Sequence, residues 1–104
     1  MIPESRIEQA LTYLADTDEP FANAKGLLTG LEEQKKTIKA TVFASMSGGV
    51  KEREEAAYAS DEYKEHSNKI MDAVIDYETM RNKRLREQLV IDVWRTQQAS
   101  LRKA

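Results

Sequence analysis

The chain has 104 residues, no cysteine and a formal net charge of −2, with 33% of its residues charged and 40% hydrophobic. That length suits one domain with a modest core, and the missing cysteines exclude disulfides, thiolate metal sites and cysteine nucleophiles, in keeping with a reducing cytoplasm. No apolar run approaches the ~18 residues of a membrane span, and Glu4, Arg6 and Glu8 interrupt the stretch that a secretory signal would keep apolar; the reading is a soluble, unexported, cytoplasmic protein without membrane contact.

Both prolines, Pro3 and Pro20, lie in the first twenty positions, and Ala, Glu, Lys, Leu, Gln and Arg dominate what remains, so the chain reads as all-α. A first short helix is expected over about 5–15, with Ser5 as N-cap and Ile7, Ala10, Leu11 and Leu14 on one stripe. Ala15-Asp16-Thr17-Asp18 then ends it and opens the next: Thr17 or Asp18 can cap, Glu19 suits the positive end of the macrodipole, and Pro20 is tolerated in a first turn. The second helix, about 19–45, carries Phe21, Ala24, Leu28, Leu31, Ile38 and Val42 at steps of three and four. That spacing is a coiled-coil seam, and Lys35, its one polar turn, has to snorkel or find an acid. On the reverse face run Ala22, Gly26 and Gly30. Each glycine costs a helix roughly 1 kcal/mol relative to alanine, so the expected reason for them is close approach of another helix. That neighbour is the first helix folded back, a second copy of the chain, or a foreign helix.

Ser47-Gly48-Gly49 marks a turn at 47–49, followed by a short charged helix over about 50–59. Ser60-Asp61-Glu62 reads as a fresh N-cap with acids in the first turn of a final helix over about 61–103; whether the two helices bend at Ser60 stays open. A helix of that length reaches roughly 65 Å at ~1.5 Å per residue, so a rod that projects needs a partner. Tyr63, Ile70, Val74, Tyr77 and Leu85 share one stripe, and Met71, Ile75, Leu89 and Val93 an adjoining one, with steps of eleven that hold the stripe straight. Its first half can pair antiparallel with residues 21–42. Beyond that, Leu89-Val90-Ile91-Asp92-Val93-Trp94 is apolar around most of the helix, which makes Leu85, Leu89, Val93 and Trp94 the candidate partner interface. The expected architecture is one domain, residues 1–104: an antiparallel helical hairpin or coiled-coil-like bundle with one long C-terminal helix and short additional helices.

Charge is unevenly distributed, at −5 over residues 1–34, +1 over 35–64, −3 over 65–80 and +5 over 81–104. On a helix Arg81, Lys83, Arg84 and Arg86, with Arg95 beyond them, form a basic strip able to track phosphates. The alternative is pairing with the acidic N-terminal third, near Asp16, Asp18 and Glu19, and this is the favoured reading. Trp94 reads first as a packing anchor and second as a platform for stacking on bases.

Little in the sequence suggests catalysis. His66 is the sole histidine, so neither the paired Glu-x-x-His ligands of a di-iron bundle nor an HExxH zinc site can be assembled. Asp72 and Asp76, four apart with Glu65 and Lys69 nearby, could hold magnesium, but such spacing is common on exposed helices. Gly26, Gly30, Gly48 and Gly49 lack the partners of a phosphate loop, a nucleophile elbow or a dinucleotide fingerprint. The chain is expected to be no enzyme and to carry no cofactor or metal.

The strings Ile7-Glu8-Gln9-Ala10-Leu11-Thr12-Tyr13-Leu14-Ala15-Asp16-Thr17-Asp18, Gly49-Val50-Lys51-Glu52-Arg53-Glu54-Glu55-Ala56 and Val93-Trp94-Arg95 resemble small helical proteins of tailed bacteriophages and prophages. Their reading frames tend to lie near single-strand annealing or replication genes. The resemblance spans most of the chain without a catalytic or ligand motif, and implies a cytoplasmic phage accessory protein in a bacterial host. The expected function is non-enzymatic, through helix-mediated contact with another phage or host protein, alongside self-association, most simply as a dimer. The alternatives are a nucleic-acid accessory using the basic C-terminal helix, and a structural protein of virion assembly.

Overall fold

The computed structural model describes residues 1–103, and among them every regular element is an α-helix: α1 (Glu4–Ser45), α2 (Val50–Ala59) and α3 (Asp61–Lys103). The chain divides into two compact units, one formed by Met1–Asn23 with the chain from Glu78 onward, the other by Ala24–Tyr77.

In the first unit, Ile7, Ala10 and Ile91 are buried together, with Ile2, Leu14, Val90 and Trp94 packed around them. The backbone N–H of Ile2 donates to Gln97 Oε1 at 3.1 Å, Arg6 pairs with Glu87, and Arg84 donates to the Leu14 carbonyl at 2.8 Å. Partners on α3 fall in number as those on α1 rise, so the two segments run antiparallel. A break between a short first helix and a second one does not occur, because α1 continues through residues 15–19 and encloses Pro20. Thr17, expected to cap a new helix, turns its hydroxyl back onto the Tyr13 carbonyl at 2.7 Å, which is a mid-helix use of the side chain. Pro20 deprives the Asp16 carbonyl of its intrahelical donor. Continuing the helix nonetheless keeps Ile7, Leu14 and Phe21 on one face, and α3 contacts that face through Ile91 and Arg84. With no separate first helix, nothing folds back on the stripe of small residues. Ala22 is exposed, and a Cβ added to Gly26 or Gly30 would meet no atom within 4 Å.

In the second unit, Val42, Ala57, His66 and Ala73 are buried, and the seam residues Ala24, Leu28, Leu31 and Ile38 are partly so. His66 Nε2 donates to the Leu31 carbonyl at 2.6 Å, which supplies a partner for a ring that is only 5% exposed. Lys35 finds a ring instead of an acid, lying 5.7 Å from the centroid of Tyr63. Tyr63 in turn meets Tyr58 edge-on at 5.2 Å, and Lys39 lies over Tyr58 and donates to its hydroxyl.

The turn after α1 depends on Gly48, whose φ of +110° lies where only glycine is unstrained. Arg53 of α2 then donates twice to the Phe43 carbonyl, both at 3.2 Å, while its guanidinium sits 4.3 Å from the Phe43 ring. The same carbonyl also accepts the Met46 N–H at 3.2 Å, so the last turn of α1 is tied to α2 through Phe43. At Ser60 the chain bends: the residue is extended, its Oγ donates to the Ala57 carbonyl at 2.7 Å, and it accepts the Tyr63 N–H at 3.3 Å. Ser60 thus closes α2 and caps α3, with Asp61 and Glu62 in the first turn.

Candidate protein-interaction face

The four residues expected to form one interface part company in the first unit. At ~100° of rotation per residue, Leu85, Leu89 and Val93 point between about 120° and 160° away from the buried Ile91, on the outer side of α3. They are 53%, 61% and 41% exposed. Their spacing of four makes a ridge two turns long, about 12 Å at 1.5 Å per residue. Trp94 instead lies half-buried against the Ile7, Ala10 and Ile91 cluster, and its indole N–H is buried with no acceptor among the described residues. It packs inside its own chain. In the second unit, Met71 and Ile75 are likewise exposed on α3, at 59% and 56%.

The basic residues separate in the same way. The Arg84 side chain is only 19% exposed, and it donates to the Leu14 carbonyl at 2.8 Å and to Thr17 Oγ1 at 2.6 Å, pairs with Asp18 at 3.6 Å and lies 5.1 Å from the Phe21 ring. It is bound into the fold, against the acidic turn of α1 around Asp18. Lys83 lies 4.5 Å over the ring of Tyr13, and Arg81 makes an exposed pair with Glu78 at 3.5 Å. Arg86 and Arg95 are exposed and have no carboxylate partner among the described residues. They leave α3 on opposite sides, since nine residues turn a helix by about 180°. The expected strip is therefore not one continuous track for phosphates.

One charged pair that periodicity did not reveal holds the unit together. Arg6 Nη2 donates to Glu87 Oε1 at 3.0 Å, and Nη1 lies 2.7 Å from Oε2 as an ion pair. The hydrogen bond from Arg6, with its charge, holds the Glu87 carboxyl below the usual carboxylate range, and Glu87 in turn raises Arg6. Arg84, Glu87, Ile91 and Trp94 step by three and four. A stripe sought only in apolar residues misses its two charged members.

Elsewhere the surface offers shallow clefts. One of about 320 Å³ in the second unit is lined by Ile38, Val42, Glu62, Glu65 and His66 among others, and one of about 290 Å³ by Leu27, Leu31, Lys69, Asp72 and Asp76 among others. Among the described residues no group of three or more potential ligands is arranged to hold a metal ion, and no helix is long and apolar enough to cross a membrane.

No family model, curated protein or solved structure matches the chain.

Proposed function

We propose that the chain is a non-enzymatic accessory protein of the phage type: an antiparallel helical hairpin that works in the cytoplasm by presenting a helix face to another protein. The supporting observation is the ridge of Leu85, Leu89 and Val93, turned away from the core and 41–61% exposed. Apolar side chains at regular helical spacing are costly to leave in water and are covered when a second helix lies along them. The resemblance noted above supplies the setting, DNA recombination or replication or the modulation of a host factor. Self-association belongs to the same reading, since the open space before Gly26 and Gly30 admits the close approach of a second α1. The test is sedimentation velocity across a concentration series, alone and with candidate partners from a recombination module, for the native chain and for Leu89→Gln/Val93→Gln. Association with a partner that the double variant loses while keeping its helical spectrum supports the reading; undiminished association in the variant removes the ridge from it.

A second reading draws on the exposed, unpaired Arg86 and Arg95 in a segment of net charge +5: binding to nucleic acid. Its mark is affinity that collapses between low and physiological salt, measured by fluorescence anisotropy with labelled single- and double-stranded DNA.

A further inference from the structure

Which helix the ridge accepts can be argued from the charges that the fold leaves outside. Between Arg81 and Lys103 the fold engages two bases and one acid: Arg84 in the contacts to Leu14, Thr17 and Asp18, Lys83 over the ring of Tyr13, and Glu87 in the pair with Arg6. The remaining charges of that stretch are Arg81, Arg86, Arg95, Arg102 and Lys103 against Asp92 alone, all of them exposed. Asp92 is also engaged, accepting from Gln88 at 3.1 Å. Relative to Leu89, Arg86 lies about 60° to one side, and Asp92 about 60° and Arg81 about 80° to the other, so a guanidinium group stands on each flank and one of the flanks also carries the Asp92 carboxylate, already held by Gln88. Arg81 is tied only to the exposed Glu78, a pairing weak enough to be exchanged.

Resting on the interaction reading above, we propose that this face takes an acidic amphipathic helix of a partner protein. The partner's apolar stripe lies along Leu85, Leu89 and Val93, and its flanking carboxylates meet Arg81 and Arg86. The same face of a second copy is a poorer occupant, because it would bring a face with two arginines and one carboxylate against its like, positive charge against positive charge. Nucleic acid is a poorer one, because a phosphate backbone leaves the ridge wet and Trp94, the aromatic that could stack on bases here, is turned inward. A guanidinium fork matches a carboxylate with paired hydrogen bonds, and helix-in-groove recognition uses the four-residue spacing of this ridge.

The experiment titrates the full chain into two labelled peptides of three heptads, with leucine at the a and d positions and either glutamate or lysine at e and g, and into a labelled single-stranded oligonucleotide. Anisotropy is read at low and physiological salt. The glutamate peptide should bind at least tenfold more tightly than the lysine peptide, lose at least fivefold with Leu89→Gln/Val93→Gln, and yield its preference to the lysine peptide with Arg81→Glu/Arg86→Glu. Circular dichroism of each variant shows that it remains helical. Equal or tighter binding of the lysine peptide overturns the charge assignment while leaving the ridge as an interface. Binding of the glutamate peptide that ignores the Leu89 and Val93 changes and is competed by the oligonucleotide overturns the helix in favour of general polyanion binding. Binding of neither peptide overturns the proposal, and the interaction reading falls with it only if the sedimentation series also shows no ridge-dependent association.

Discussion

Two residues apart on α3, Ile91 and Leu89 have opposite fates, and replacing each by alanine isolates what burial contributes in the first unit. Ile91 is 4% exposed against Ile7 and Ala10, whereas Leu89 is 61% exposed. Truncating a buried isoleucine costs about 2–5 kcal/mol in lost transfer energy and residual cavity, offset by roughly 0.5 kcal/mol from the better helix propensity of alanine. Truncating an exposed leucine on the same helix should change stability by no more than about 0.5 kcal/mol. A chain of this size holds about 5–15 kcal/mol in total, so Ile91→Ala removes a large share of it. Urea unfolding at 222 nm, at a protein concentration low enough to keep the chain monomeric, should show the midpoint of Ile91→Ala falling steeply and that of Leu89→Ala barely moving. Equal losses, or a larger one for Leu89, would mean that the face assigned to the outside is the one that packs, and the placement of the interaction ridge would fall with it.

Arg84→Met keeps the aliphatic stem and deletes the fork that reaches Leu14 and Thr17, so it should cost about 1–2 kcal/mol, and Arg84→Lys should restore little of this because one ammonium cannot reproduce the geometry; thermal melts of both variants decide it. Glu87 titrates below its ordinary 4.5, so its contribution to stability is present above that value and drains away as the pH falls through the lowered one; the urea midpoint should drop between neutral pH and pH 3, and Glu87→Gln should flatten that part of the profile. Gly26→Ala/Gly30→Ala should raise stability by about 0.5–1 kcal/mol per site, since an added Cβ meets open space at both. Weaker self-association in the same variant, read by sedimentation, would show that a second chain uses the gap.

The helical content and the seam of Phe21, Leu28, Leu31, Ile38 and Val42 were legible from spacing alone, because apolar residues at steps of three and four leave few alternatives to a packed helix face. The turn at Ser47–Gly49 and the cap at Ser60 were legible from local chemistry. The missing break before Pro20 was not. Thr17 and Asp18 are good caps in isolation, and it is the packing of α3, through Ile91 on Ile7 and Leu14 and through Arg84 on this turn, that gives it a reason to stay helical. The exposed ridge was half legible: hydrophobicity marked residues 85–94, but the choice between inside and outside rests on Arg84 and Glu87, two charged residues that an apolar pattern passes over.

Trp94 is the only tryptophan in the chain, and it sits half-buried in the first unit with its ring against Ile7, Ala10 and Ile91. Its emission therefore watches one unit while circular dichroism watches both. A shared midpoint for the two signals on heating would mean that Met1–Asn23 and the chain from Glu78 onward melt together with Ala24–Tyr77; separate midpoints would reveal two cooperative blocks along the same pair of helices. In the second case the Leu85, Leu89 and Val93 face could be released or ordered independently of the rest, and binding there could be tuned by local melting.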